Sequence, residues 1–185
     1  MSTATATSTR TTWKIDPTHS HVEFAVRHLM ISSVKGRFGV VEGTVVTDEG
    51  NPSAADVTVT IDTATIDTRE AQRDAHLKSA DFFDVEKFPT LTFHGTRITG
   101  AGDQFKLTGD LTLHGVTREV TLDVTAEGRG KDPWGGDRAG YSATAKIKRS
   151  DFGLTWNQVL EAGGIAVGDE IKIALDVELV KQQIS

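Results

Sequence analysis

The chain has 185 residues, with Lys+Arg 20 against Asp+Glu 26, a formal net charge of −6 and no cysteine. That length suits one domain with a sizeable core, and the charge disfavours nucleic acid and anionic lipid surfaces as partners. Without thiols there is no disulfide, thiolate metal site, iron–sulfur cluster or cysteine nucleophile.

Residues 1–12, beginning MSTATATSTR, are rich in Thr, Ser and Ala and lack the basic and apolar blocks of a secretory signal. They are expected to form a disordered tail on a cytoplasmic protein whose single domain spans 13–185. No apolar run approaches the ~20 residues that cross a bilayer as a helix.

From Trp13 the pattern has period two, the mark of half-buried strands. The first strand segment, HSHVEFAVRHLM at 19–30, sets three histidines and a glutamate within ten positions. Strand parity divides them: His19, His21 and Glu23 fall on one face, and Val22, Phe24, Val26 and His28 on the other. Same-face neighbours on a strand stand ~7 Å apart and fan outwards, so this is a poor metal site. The simpler expectation is a turn hydrogen bond for His19, a solvated His21 and a satisfied His28 at the end of the sheet.

Further strands follow the same rule. Val57, Val59 and Ile61 alternate with Thr58, Thr60 and Asp62; Phe105, Leu107, Leu111 and Leu113 alternate with Lys106, Thr108, Asp110 and Thr112. Val116, Val120, Leu122 and Val124 share one face, as do Ile171, Ile173, Leu175, Val177 and Leu179. Turn signals at 48–52, 99–103 and His114-Gly115 separate these runs and make the order antiparallel and up-and-down. About eight such strands suit a closed barrel or a sandwich.

Three segments break the rhythm. In TREAQRDAHLKSADFF, from Thr68, β-branched residues vanish, Thr68 can cap, Glu70 favours a helix start, and Glu70/Arg73 and Asp74/Lys78 have helical pair spacing; a helix is expected at 69–80. It runs into Phe82, Phe83 and Phe88, a cluster suited to plug one end of a barrel. Residues 127–140, with five glycines, Pro133 and an exposed Trp134, are expected to be a mobile loop, and the aperiodic apolar stretch 152–170 a long loop folded over an opening.

Candidate chemistry is sparse. The chain has no G-x-S-x-G, no phosphate-cradling glycine loop, no H-E-x-x-H and no EF-hand loop. Arg73 and His76 share a helix face, where they would either clamp an anionic or carbonyl head group or pin the helix to the rim.

The ordered segments WKIDPTHSHVEFAVRHLM, VKGRFGVVEG, IDTATIDTREAQRDAHLKSADFFDVEKFPTLTFHG, GDLTLHGVTREVTL, KRSDFGL and VGDEIKIALDVEL resemble the YceI family of polyisoprenoid-binding, lipocalin-like proteins over about residues 13–180. The resemblance implies an all-β fold: an eight-stranded antiparallel lipocalin-like barrel with a short helix near one opening and a long apolar channel. It further implies a homodimer that binds or transports an isoprenoid, such as an isoprenoid quinone, or another amphiphilic lipid, without a cofactor or metal and without catalysis.

Parity and motif position together make Phe24, Val26, Phe38, Phe93 and Trp156 the expected lining, with Phe82 and Phe83 near the helix-covered end and His28 and Arg73 as contacts to a head group. The alternatives are an enzyme acting on an amphiphile in the same cavity through His28 and Arg73, and a packed barrel that meets a partner protein through Trp134.

Overall fold

In a computed structural model that describes residues 9–39 and 41–183, eleven strands and one α-helix follow each other along the chain. The strands are β1 (Arg10–Ile15), β2 (His21–His28), β3 (Ser32–Phe38), β4 (Val41–Asp48), β5 (Asp56–Asp62), β6 (Ile66–Asp67), β7 (Thr90–Ala101), β8 (Gln104–Leu113), β9 (Val116–Lys131), β10 (Asp137–Lys148) and β11 (Val167–Lys181). The helix, α1 (Ala71–Lys78), lies between β6 and β7.

Residues 1–8 of the expected tail lie outside the described residues. Arg10, Thr11 and Thr12, assigned to that tail from sequence, instead open β1. They pair with Asp48, Thr47 and Val46 of β4, so a Thr-rich composition that looked unstructured fits an extended edge.

Eight strands close an antiparallel barrel in the order β1-β4-β5-β7-β8-β9-β10-β11, with β11 returning to β1. The long β11 has two partners along one edge: Leu179 to Lys181 pair with β1, and Val167 to Asp176 pair with β2. The chain leaves β1 at Asp16 and re-enters as β2 at His21. Glu178 holds this corner, because its backbone N–H donates to Ser20 Oγ (3.0 Å) and its carbonyl accepts from Asp16 N (2.8 Å). Strands β2, β3 and β6 thus continue the wall outside the closed eight.

The period-two pattern becomes a wet face and an apolar face. Val57, Val59, Leu107, Leu111, Leu113, Val120, Val124, Ile173 and Leu175 point inward, while Thr58, Lys106, Asp110, Glu119 and Lys172 are exposed. A two-residue turn, His114 (φ 53) and Gly115 (φ 72), joins β8 to β9, the left-handed pair that matches hairpin twist. Where β7 and β8 bend, Gly95 lies opposite Gly109; a Cβ on Gly109 would run into the backbone of His94 and Gly95, so the wall can curve there only without a side chain.

Two of the irregular stretches differ from expectation. Residues 127–140 are mostly hairpin: β9 runs to Lys131 and β10 resumes at Asp137. The Asp132 carboxylate accepts from Trp134 N (3.0 Å), Gly136 N (2.8 Å) and Arg138 Nε (3.1 Å), which gives a glycine-rich segment a fixed turn. Trp134 projects from it, 87% exposed.

The helix is shorter than 69–80 because Glu70, not Thr68, is its N-cap: the carboxylate accepts from Gln72 N (3.1 Å) and Arg73 N (2.6 Å). Ser79 ends it with a backbone bond to His76 O. Neither spaced charge pair forms as a side-chain ion pair. Asp74 accepts from Thr68 N and Oγ1, and Arg73 donates to Thr68 Oγ1 and O.

Candidate functional site

The inward faces do not meet in a packed centre. They enclose a cavity of about 910 Å³ that runs from the α1 end to the β4–β5 and β7–β8 turns. That volume stands near the top of the ~300–1,000 Å³ usual for ligand pockets. Its wall is overwhelmingly apolar side chain, so water inside it would find few partners and an apolar chain many. A packed barrel, one of the alternatives above, does not describe this interior.

All nine residues singled out from sequence line the cavity: Phe24, Val26, His28, Phe38, Arg73, Phe82, Phe83, Phe93 and Trp156. They are not one cluster. At the α1 end Phe24, Phe38 and Phe83 form a chain of rings with successive centroids 5.8 Å apart. Beside them Trp156 packs on Phe82 (5.3 Å) and on His76 (4.7 Å). Phe93 stands apart on β7, paired with Leu111 on β8. Val26 continues the β2 wall, and His28 is exposed at its end.

The polar groups at this end are mostly committed to the protein. Arg73 Nε and Nη2 donate to Thr68 Oγ1 and O, each at 2.8 Å, so the guanidinium pins α1 to the end of β6. His76 Nε2 meets Asp81 Oδ2 at 2.8 Å. The sequence had left these two residues between clamping a ligand and pinning the helix; their contacts favour pinning.

Sequence reasoning missed Arg149, which also lines the cavity and is only 6% exposed. Its Nε donates to Gly168 O (2.8 Å), Nη1 to Leu154 O (2.7 Å) and Trp156 O (2.8 Å), and Nη2 to Val167 O (3.3 Å). One guanidinium therefore holds both ends of the 154–167 segment that carries Trp156 over the opening. Burial pulls its pKa down, and the charge of Asp169, fixed by Ser150, opposes that shift. Its only sequence signal was its place in KRSDFGL beside a glycine in the left-handed region, Gly153 (φ 74).

The far end was missed too. There Arg129 lies over the Trp13 ring, 5.6 Å from its centroid, with Lys181, Glu49 and Asp103 also on the rim.

The histidine-rich opening motif resolves into separate partners. His21 faces Asp176 at 3.3 Å in solvent. His19 Nδ1 meets Asp16 Oδ2 at 2.9 Å, and Asp16, His19 and Glu178 bring ligand atoms within 4.8 Å of one another. The positive charge among them is Arg138, whose Nη1 donates to Asp16 (2.8 Å) and Glu178 (2.6 Å). Hydrogen bonds from Thr18, His19 and Arg138 hold the Asp16 carboxyl well below the usual carboxylate range, and Asp16 in turn raises the His19 pKa. This is an ion network that ties β1, β10 and β11 together, on the opposite side of the wall from the cavity lining.

Comparison with known proteins agrees with this architecture. A family model described as the YceI-like domain matches residues 13–179. Protein YceI of Salmonella newport and that of Salmonella arizonae are each 44% identical over 173 residues, covering 92% of this chain and 87% of theirs. The crystal structure of a Campylobacter jejuni YCEI protein superposes with a TM-score of 0.71 at 32% identity, over 85% of this chain and 90% of that one. A polyisoprenoid binding domain from Saccharophagus degradans shares the fold, with a TM-score of 0.66 at 15% identity over 92% of this chain and 98% of that one.

Proposed function

This chain belongs to the YceI-like family, and from that premise we propose that it binds and carries a long isoprenoid or similar amphiphilic lipid, held by its chain in the barrel cavity. The observation that carries the reading is the apolar cavity of about 910 Å³ running through the barrel. The polyisoprenoid binding named for the Saccharophagus degradans domain of the same fold supports the choice of ligand class.

Energetics favour a chain over a head group as the main handle. Burying one CH₂ contributes ~0.8 kcal/mol, so an isoprene unit of roughly four to five CH₂ equivalents contributes up to about 3–4 kcal/mol before losses in chain entropy. A few units then suffice for useful affinity. Carriage, rather than chemistry on the lipid, fits the polar side chains at the helix end: Arg73 and Arg149 spend their donors on backbone and hydroxyl oxygens, and His76 faces Asp81. None of these contacts aligns a base with a nucleophile.

Mass spectrometry of an organic extract of the purified protein tests the proposal. Recovery of a stoichiometric polyprenyl lipid is expected. Repeated absence of any lipid, together with no uptake of added polyprenyl alcohols, would sink it.

A further inference from the structure

A lipid carrier must collect its cargo somewhere, and one end of this cavity has an unusual surface. Met30 (58% exposed), Ile31 (78%), Val159 (81%) and Ile165 (39%) are large apolar side chains left in solvent. They sit on neighbouring segments. Val159 bridges to Ile165, Ala166 O accepts from Leu29 N (2.8 Å), and Leu29 opens the β2–β3 turn that carries Met30 and Ile31. The adjoining Arg27, His28, Trp156, Gln158, Ala166 and Val167 line the cavity, so the apolar collar borders its opening.

The backbone of this turn is itself out of the ordinary. Leu29 (φ 52) and Met30 (φ 59) are both in the left-handed region, where hairpin turns normally place Asn, Asp or Gly. Bulky apolar residues are thus kept in a strained conformation at an exposed tip, and such strain clusters at functional sites.

Charge gives a second, independent observation. Strand register puts Lys146 of β10 opposite Lys172 of β11, Lys172 opposite Ala25 of β2, and Ala25 opposite Lys35 of β3. This is a row of three exposed lysines across the outer face below the collar, with Arg27 and Lys148 one pleat nearer the opening. Lys87, Lys106, Lys131 and Lys181 each have an aspartate partner, whereas among the described residues none of the three lysines of this row has one. Like charges directly opposite on a sheet destabilise it. The acids nearby are Glu170, across from Lys148; Glu23, one pleat from Ala25 and across from Arg37; Asp123, across from Thr144 and paired with Lys106; and Glu161 on the loop tip. A net charge of −6 had argued against anionic surfaces, but it averages over a face that is locally basic.

We propose that the collar of Met30, Ile31, Val159 and Ile165 docks the cavity's opening on an anionic lipid bilayer, with Lys35, Lys146 and Lys172 facing the head-group phosphates. Apolar tips entering the interface beside a basic face are the two-part attachment that peripheral binding needs. A second copy of the chain is the poorer occupant: four partly exposed side chains make a patch of a few hundred Å², below the ~800 Å² per partner of a stable dimer, and the lysine rows of two copies would repel.

The proposal rests on the carrier reading above, and vesicle sedimentation separates the two, because it reads docking and not cavity occupancy. The full chain is expected to sediment with vesicles of phosphatidylcholine plus phosphatidylglycerol, weakly with phosphatidylcholine alone, and less as salt rises. Changing Lys35, Lys146 and Lys172 together to Glu should weaken binding by about a hundredfold, on the order of fivefold for each lysine. A Met30→Ser, Ile31→Ser, Val159→Ser variant should lose it on both vesicle types, and Glu161→Lys should strengthen it. All these positions are exposed, so each variant is expected to melt with the parent. Equal sedimentation with both vesicle types, or undiminished binding by the lysine and collar variants, overturns docking even if polyprenyl lipid is still extracted from the cavity. A dimer in ultracentrifugation that the collar variant dissolves, without vesicle binding, assigns the patch to a second copy instead and also overturns it.

Discussion

Replacing Arg149 with methionine, apolar and of similar reach, would remove the side chain that joins both ends of the 154–167 segment to the barrel. Three carbonyls, those of Leu154, Trp156 and Gly168, would lose the arginine as donor, and that of Val167 would keep only Asn157 Nδ2. Hydrogen bonds from a charged donor contribute about 1.5–3 kcal/mol each, but the guanidinium surrenders several kcal/mol of hydration on burial, and this offsets much of the gain. The net loss is therefore expected at about 3–5 kcal/mol rather than at the gross sum. With a urea slope of about 2 kcal/mol/M the unfolding midpoint should fall by roughly 1.5–2.5 M. Arg149→Lys should fall between the two, since three donors on one nitrogen cannot span carbonyls on both sides. Asn157 provides a second tie, donating from Nδ2 to Val167 O (2.7 Å) and accepting from Val167 N (3.0 Å), so lid loss should precede global unfolding only when both are changed. A methionine variant whose midpoint stays within about 0.5 M of the parent would refute this reasoning; it would mean that water satisfies the three carbonyls without the arginine.

Gly36→Ala puts a methyl group into the Phe24 ring and within 2.8 Å of Thr68 Cγ2; a loss of about 1–3 kcal/mol is expected, with Phe24 driven into the cavity. Unchanged melting and unchanged lipid content would contradict that packing. Ala143, buried on the cavity wall of β10, is a position where tryptophan would fill the channel; Ala143→Trp should abolish lipid co-purification while the barrel still melts cooperatively, and full lipid recovery would move the binding site elsewhere. At the β1 corner, His19 has a raised pKa, so its contribution is complete below its unfolded value of ~6.5 and fades as pH rises through the folded one. Asp16 is lowered by Thr18, His19 and Arg138, so its contribution is present above ~3.9 and lost as pH falls. The corner should be firmest between roughly pH 4 and 6.5, where both are charged. An NMR titration should place the His19 midpoint above the ordinary histidine value and return it there in Asp16→Asn; an unshifted midpoint in the parent would count against the network.

Much of the barrel was legible because strand parity is a local property. Val57, Leu107, Val120 and Ile173 declare their inward face through immediate neighbours, and the His114-Gly115 turn through its two residues. What was hidden depends on partners distant in sequence. The pairing of β11 with both β1 and β2 cannot be read from either strand alone, and neither can the contact of Arg138 with Asp16 and Glu178. The helix cap went to Glu70 because its carboxylate reaches Gln72 N and Arg73 N, while the Thr68 hydroxyl, two residues earlier, donates to Asp74 and accepts from Arg73 Nε. Arg149 escaped because a buried arginine satisfied by carbonyls has no acidic partner at a recognisable spacing. The nine lining residues were accessible through parity and motif position, whereas the lysine row exists only in the register.

The distribution of polar groups around the cavity leads to a last expectation about selectivity. Arg73, His76 and Arg149 each satisfy Thr68, Asp81 or backbone carbonyls, so they offer a head group little that is not already in use. What remains for a ligand is a wall of Val, Leu, Ile and Phe that buries CH₂ groups without regard to their order. Affinity should therefore climb with chain length, at least about tenfold for each isoprene unit even if half the transfer free energy is lost to ordering the chain. It should then stop climbing when the cavity is full, because the next unit stays in water. Swapping an alcohol for a phosphate or a quinone at equal chain length should change affinity far less than adding one unit. Competition of polyprenyl alcohols and polyprenyl phosphates of graded length against a fluorescent chain measures both slopes. A head-group effect larger than the effect of one isoprene unit would mean that a cation at the rim, Arg129 and Lys181 at the far end or Arg27 beside Met30, holds the ligand in place of the wall.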